Sequence, residues 1–181
     1  MTRVLIVALL LLGACSTPQA DEPGPVVGGD AQWVSLAPVP TPRSEVAAAA
    51  AKGKIYVVGG FAENRGTVKT VEVYRIATDD WKTGPRLPIA LNHPMTASLG
   101  GKIYVFGGYE GPGLHDATHR AWVLHNGDWK RLPDMPAARA AGGAASARGK
   151  LFVVGGMKER SPAHQTLVFN PKTEKWKQIS G

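Results

Sequence analysis

The sequence predicts an all-β fold made of three copies of one four-stranded unit, and three observations predict it. Trp33, Trp81, Trp129 and Trp176 recur at steps of 48, 48 and 47 residues. Gly59-Gly60, Gly107-Gly108 and Gly155-Gly156 recur at steps of 48. The 181 residues include 22 Gly and 14 Pro with only 19% charged side chains, a composition that favours tight turns over helices. Independent markers at one fixed period are the signature of a repeat architecture, in which each unit buries its apolar face against the next.

Each strand of the unit has its own signal. In the first unit, strand a covers residues 46–51 and strand b Lys54–Val58, joined by a tight turn at Lys52-Gly53. The strand b runs Ile55-Tyr56-Val57-Val58, Ile103-Tyr104-Val105-Phe106 and Leu151-Phe152-Val153-Val154 are β-branched and aromatic, bounded by Gly, as buried strands are. Strand c covers residues 71–76, and its aromatic recurs as Tyr74, Trp122 and Phe169, seven residues before the Trp that opens strand d. In the second unit Asn126-Gly127 marks a type I′ hairpin between c and d, where both positions need positive φ. Strand a is made of the smallest residues (residues 47–51, Thr96-Ala97-Ser98 and residues 142–147), which suits the most crowded place in the fold.

The N-terminus has a different character. Arg3 precedes an unbroken apolar run over residues 4–12, closed by Leu12-Gly13-Ala14-Cys15, which is the pattern of an export signal. The segment is far shorter than the ~20 residues that a helix needs to cross a bilayer. The ending resembles the bacterial lipobox, which implies a signal peptide over 1–14 and an acylated Cys15 as the first mature residue. Ser16, where an Asp would favour the inner membrane, points to the outer membrane. Residues 15–30, rich in Pro, Gly and polar side chains, read as a flexible tether.

From residue 31 to 181 the double Gly after strand b, the strand c aromatic and the strand d Trp together resemble kelch repeats. Such repeats build β-propellers, with one four-stranded blade per repeat around a central channel. The resemblance implies blades over about 33–80, 81–128 and 129–176. Three blades are fewer than the four to eight of closed propellers. The expectation is therefore a partial propeller, or half of a six-bladed ring closed by a homodimer. Apolar blade faces would then be left open.

In such a meander the d-to-a and b-to-c loops emerge on one rim, where loops carry function on a rigid scaffold. Arg43 and Arg139 each lie ten residues after their Trp, and the middle unit has Leu91 there, followed by Asn92 and His93. Arg43, Asn92, His93, Tyr109 and Arg139 are accordingly the expected ligand-binding rim, with guanidinium forks suited to a carboxylate or phosphate. The longest b-to-c loop, residues 109–120, holds His115, Asp116 and His119. These are metal-ligand types, but the Gly- and Pro-rich start of the loop argues for a solvated loop and no metal.

Several chemistries are excluded by residue content. Galactose-oxidase-like propellers need a Cys joined to a Tyr, and this chain has no Cys beyond Cys15. No phosphate-binding Gly loop or nucleophile elbow is present, and no cofactor is expected. Net charge is +7, which attracts anionic glycans or lipid headgroups, while the scattered basic residues and the export signal argue against nucleic acid. The expected function is that of a lipid-anchored, non-catalytic module of the bacterial cell envelope that binds carbohydrate or protein at the loop rim. The alternative is a mutarotase or epimerase acting on an anionic sugar such as sialic acid, as in sialate-mutarotase-like propellers, with His93 or Glu110 as the acid and base groups.

Overall fold

The computed structural model describes residues 34–63 and 66–179. The chain divides into Met1–Ser35 and Leu36–Gly181. The signal peptide, Cys15, the tether and Trp33 lie outside the described residues.

The first blade contains β1 (Arg43–Ser44), β2 (Ala47–Ala51), β3 (Lys54–Val58), β4 (Phe61–Ala62), β5 (Val71–Arg75) and β6 (Asp80–Thr83). The second contains β7 (Met95–Leu99), β8 (Lys102–Phe106), β9 (Ala121–His125) and β10 (Asp128–Leu132). The third contains β11 (Gly143–Ala147), β12 (Lys150–Val154), β13 (Met157–Lys158), β14 (Ser161–Pro162), β15 (Thr166–Asn170) and β16 (Lys175–Ile179). The sheets run β2-β3-β5-β6, β7-β8-β9-β10 and β11-β12-β15-β16, all antiparallel. The strand pairs β1-β4 and β13-β14 decorate the ends of the first and third blades. The predicted meanders are therefore present in order. Because the sequence repeat counted from Trp to Trp starts inside the fourth strand, the blades themselves span 47–83, 95–132 and 143–179.

The first strands β2 and β11 each pack against β7, which explains their small side chains. Outward from them, side chains alternate between the two faces of each sheet. Val58, Val71 and Val73 of the first blade meet Leu91, Val105 and Trp122 in one buried cluster. Tyr104, Phe106, Ala121 and Val123 turn to the other face and meet Leu151, Val153, Leu167 and Phe169 of the third blade. The middle blade is thus buried on both sides. Truncating a fully buried aromatic such as Phe106 or Phe169 to Ala costs about 3–5 kcal/mol. On the far face of the third blade, Val154 and Ile179 remain 50% and 43% exposed.

The Trp residues stitch neighbouring blades together. The indole N–H of Trp129 donates to the carbonyl of Pro85 at 2.8 Å, and that of Trp176 to Pro133 at 2.9 Å. Trp81 makes the same bond to Ala37 at 2.8 Å. Pro85 and Pro133 lie in the turns that leave the preceding fourth strands β6 and β10. The double Gly serves the same contact between blades: Gly60 and Gly108 donate their N–H groups to the carbonyls of Leu91 and Arg139 at 2.8 and 2.9 Å. A Cβ on Gly59 or Gly107 would run into those same two oxygens.

One strand c aromatic is not where the spacing predicts. Trp81 faces Tyr74 and Trp176 faces Phe169 across the outer strands, but Trp129 faces Leu124. The Asn126-Gly127 turn, with φ of 53° and 90° as expected for its type, makes the middle hairpin two residues tighter than its counterparts. Trp122 therefore takes the place held by Glu72 and Leu167 in the other blades, opposite Val105 as they are opposite Val57 and Val153. Among the described residues no helix is long and apolar enough to cross a membrane.

Candidate functional site

The loop rim is organised by three equivalent residues two positions before the inner strands. Glu45, His93 and Ala141 all have positive φ, at 54°, 48° and 56°. The N–H of His93 donates to the carbonyl of Glu45 and that of Ala141 to the carbonyl of His93, both at 3.0 Å. This chain of bonds runs from blade to blade. It explains why the loops enter the inner strands with one common geometry.

Asn92 anchors the rim from within. It is fully buried, exchanges backbone hydrogen bonds with Tyr109, and donates from Nδ2 to the carbonyl of Gly111 at 2.9 Å and to Thr67 Oγ1 at 3.1 Å. These bonds leave its Oδ1 to accept from His93 Nδ1 at 2.8 Å. His93 Nε2 lies 2.8 Å from the Glu45 carboxylate, and its ring meets Phe61 and Tyr109 edge to face. Tyr109 itself is only 3% exposed and packs beneath the rim.

The two guanidinium groups lie inside the blades and not at the mouth. The Arg43 side chain is 1% exposed, donates to the carbonyls of Gly59 and Thr70 at 2.6 and 3.1 Å, and pairs with Glu72 at 2.7 Å. Arg139 is 1% exposed and donates to the carbonyl of Gln165 at 2.6 Å. The reason is local: the fork arriving from the loop above reaches carbonyls just beyond strand b or just before strand c, Gly59 and Thr70 for Arg43 (Thr70 also accepting from the Gly59 N–H) and Gln165 for Arg139. Burial pushes the Arg139 pKa down, because Leu167 stands where Glu72 neutralises Arg43.

The His-Asp-x-x-His loop does not converge. His119 pairs with Asp134 at 3.0 Å and Glu110 with Arg120 at 3.3 Å. His115 lines a recess of the rim with His93, Tyr109, Leu114 and Arg160. Among the described residues no group of three His, Cys, Asp or Glu is placed to hold a metal.

What the rim does offer is a cavity of about 710 Å³ lined by Phe61, Leu114, Glu45, Glu63, His93 and, of the two expected arginines, Arg43, whose side chain nonetheless is buried. Phe61, Glu63 and Leu114 were not visible as site residues in the sequence. Glu45 had one signal, its equivalence with His93 at the repeat step.

The KLHDC2/KLHL20/DRC7 Kelch-repeats domain family matches residues 31–181. Kelch-like protein 36 of Bos taurus is 41% identical over 61 residues, 33% of this chain and 10% of that protein. An F-box/kelch-repeat protein of Arabidopsis thaliana is 33% identical over 93 residues, 44% of this chain and 24% of that protein. The solved structure of YjhT superposes with a TM-score of 0.72 at 18% identity, over 82% of this chain and 55% of that one. The chain thus spans a minor part of these curated relatives and about half of that structure. With its stitched four-stranded blades and a family match over all the described residues, the chain belongs to the kelch-repeat family.

Proposed function

We propose that the chain is a lipid-anchored kelch module of the bacterial cell envelope, sorted to the outer membrane, that binds a protein partner at its loop rim and catalyses no reaction. The observation that carries the binding reading is the rim cavity, with Phe61 and the 54% exposed Leu114 beside the Glu45–His93 pair. An apolar anchor flanked by a few fixed polar groups is what a partner side chain needs to dock. The test places a photo-crosslinking amino acid at Leu114 in cells. A discrete protein adduct is expected, with none from the same group at Lys172 on the opposite rim. Equal adducts at both positions, or none at either, would remove the reading.

The anchor rests on Cys15. Cys15→Ser is expected to leave the precursor unprocessed or soluble in the envelope, and unchanged mass and membrane fractionation would defeat the assignment.

A second reading, mutarotation of an anionic sugar, has one supporting observation: the Glu45–His93 pair sets a base and an acid side by side in a cavity. Against it, Arg43 and Arg139 are both committed to the interior. Anomer exchange of sialic acid followed by NMR separates the readings, since acceleration that His93→Ala abolishes would favour the enzyme.

A further inference from the structure

The turns on the rim opposite the loops carry positive charge with no acid among them. At the loop rim Arg120 pairs with Glu110, His93 and His119 lie against Glu45 and Asp134, and Lys69, Arg86, Lys158 and Arg160 are spread over separate loops. On the other rim, the turns from first to second strand read Lys52-Gly53-Lys54, Gly100-Gly101-Lys102 and Arg148-Gly149-Lys150. Those turns carry five cations and no acid. β2 and β11 each pack against β7, and the first two turns meet where the Lys52 side chain reaches Gly101. None of the five has an ion-pair partner among the described residues. The acids of this rim, Asp79, Asp80, Asp128 and Glu174, stand at the outer turns, and Asp80 is already engaged by Arg75 and Lys82.

A cavity of about 510 Å³ opens between the first and second blades at these turns, lined by Lys52, Lys54, Lys82 and His125 with Val73 and Leu124. The Lys52 stem crosses to the second blade and fills the space that a Cβ on Gly101 would need. A cationic stem is thus laid over the crevice. His125 independently registers the local field: partial burial first, then the charges of Lys102, Lys130 and Lys52, hold its pKa below the ordinary histidine value.

We propose that this crevice and the lysines around it bind phosphate, presented either by an anionic lipid headgroup or by a free polyphosphate. Lysine ammonium groups act as compact point charges and accept phosphate without the fixed geometry that a guanidinium fork demands. Mutual repulsion among unpaired cations is relieved by an anion that bridges them. At physiological salt the screening length is about 8 Å, so this cluster and not the overall charge decides where the anion settles. The site is independent of the partner at the loop rim.

The test uses the full chain with Cys15→Ser, so that no acyl group contributes to membrane binding. Sodium tripolyphosphate is titrated into the isotopically labelled protein, and the protein is separately sedimented with phosphatidylcholine vesicles with and without phosphatidylglycerol. Saturable shifts at Lys52, Gly101 and His125, or sedimentation that requires phosphatidylglycerol, are expected. Lys52→Gln/Lys54→Gln/Lys102→Gln should weaken either by roughly a hundredfold, about fivefold per lysine, with an unchanged thermal midpoint. Binding in the vesicle arm alone assigns the phosphate to a lipid, and in the tripolyphosphate arm alone to a soluble ligand. Binding in neither arm, or undiminished binding by the triple variant, would overturn the site.

Discussion

Arg43 and Glu72 form an ion pair at 2.7 Å inside the first blade, with side chains 1% and 6% exposed. The third blade repeats the arginine as Arg139 without the acid, since Leu167 stands in the place of Glu72. The middle blade has dispensed with both charges, placing Leu91 and Trp122 in one apolar cluster. Three solutions to one position are thus visible in a single chain.

They differ in what substitution should cost. Arg43→Leu leaves Glu72 buried with Thr41 as its remaining hydrogen-bond donor, and the expected loss is about 3–5 kcal/mol. Arg139→Leu strands no acid and copies the fully buried Leu91, so stability should change by no more than about 1 kcal/mol in either direction. Urea denaturation of the two variants measures both. Equal losses would show that the carboxylate is not what separates the sites.

The fold was legible because its markers are backbone requirements. The double Gly must admit a neighbouring carbonyl, and the Trp must reach a turn in the preceding blade, so both recur at the repeat step. The site was less legible for the same reason. Spacing placed Arg43 and Arg139 in the right loops but says nothing about the direction of a side chain, and both turn inward to backbone carbonyls. Trp122 shows the limit for aromatics: a hairpin tightened by two residues is offset by a longer preceding loop, so the period survives while the register shifts. Phe61, Glu63 and Leu114 sit in loops with no periodic signal, and only the folded chain brings them to one cavity.

Asn92 ties the first blade's loop at Thr67 to the second blade's loop at Gly111. Asn92→Ala removes those donors and the acceptor for His93 Nδ1, with an expected cost of about 1–3 kcal/mol for the groups left unsatisfied. Amide exchange should quicken at Tyr109 and Gly111 while β7 and β8 stay protected. Uniform quickening throughout the blade would mean that Asn92 supports the whole sheet and not the rim alone.

Acid should loosen the outer turn of the first blade. Hydrogen bonds from Arg75 and then Thr78 hold Asp80 down at about 2, and those from the Tyr74 hydroxyl and the Ala37 N–H hold Asp79 below its ordinary value. Both acids are more acidic folded than unfolded, so their stabilisation is complete above about pH 4 and is lost as pH falls toward 2. The Ala37 amide, which donates to Asp79 at 2.8 Å, should lose exchange protection as acid protonates that carboxylate. Unchanged protection of this amide in Asp79→Asn would show that Asp79 does not pin this segment.

His125 gives the opposite rim a pH signature in the same direction as that of the aspartates but with a different cause. Partial burial and the neighbouring Lys102, Lys130 and Lys52 lower its folded pKa, while the unfolded chain takes up the proton near the ordinary value of about 6.5. Below that pH the unfolded state binds more protons, so stability falls as pH drops from 6.5 toward the folded value, and it is level above 6.5. Removing one of the charges by Lys102→Gln should move the imidazole back up, and tripolyphosphate bound among the lysines should move it further. Titration of the His125 ring protons by NMR, with and without tripolyphosphate, reads both shifts. A ring that titrates at its ordinary value in the wild-type chain, indifferent to Lys102, would show that the turn lysines do not act on it.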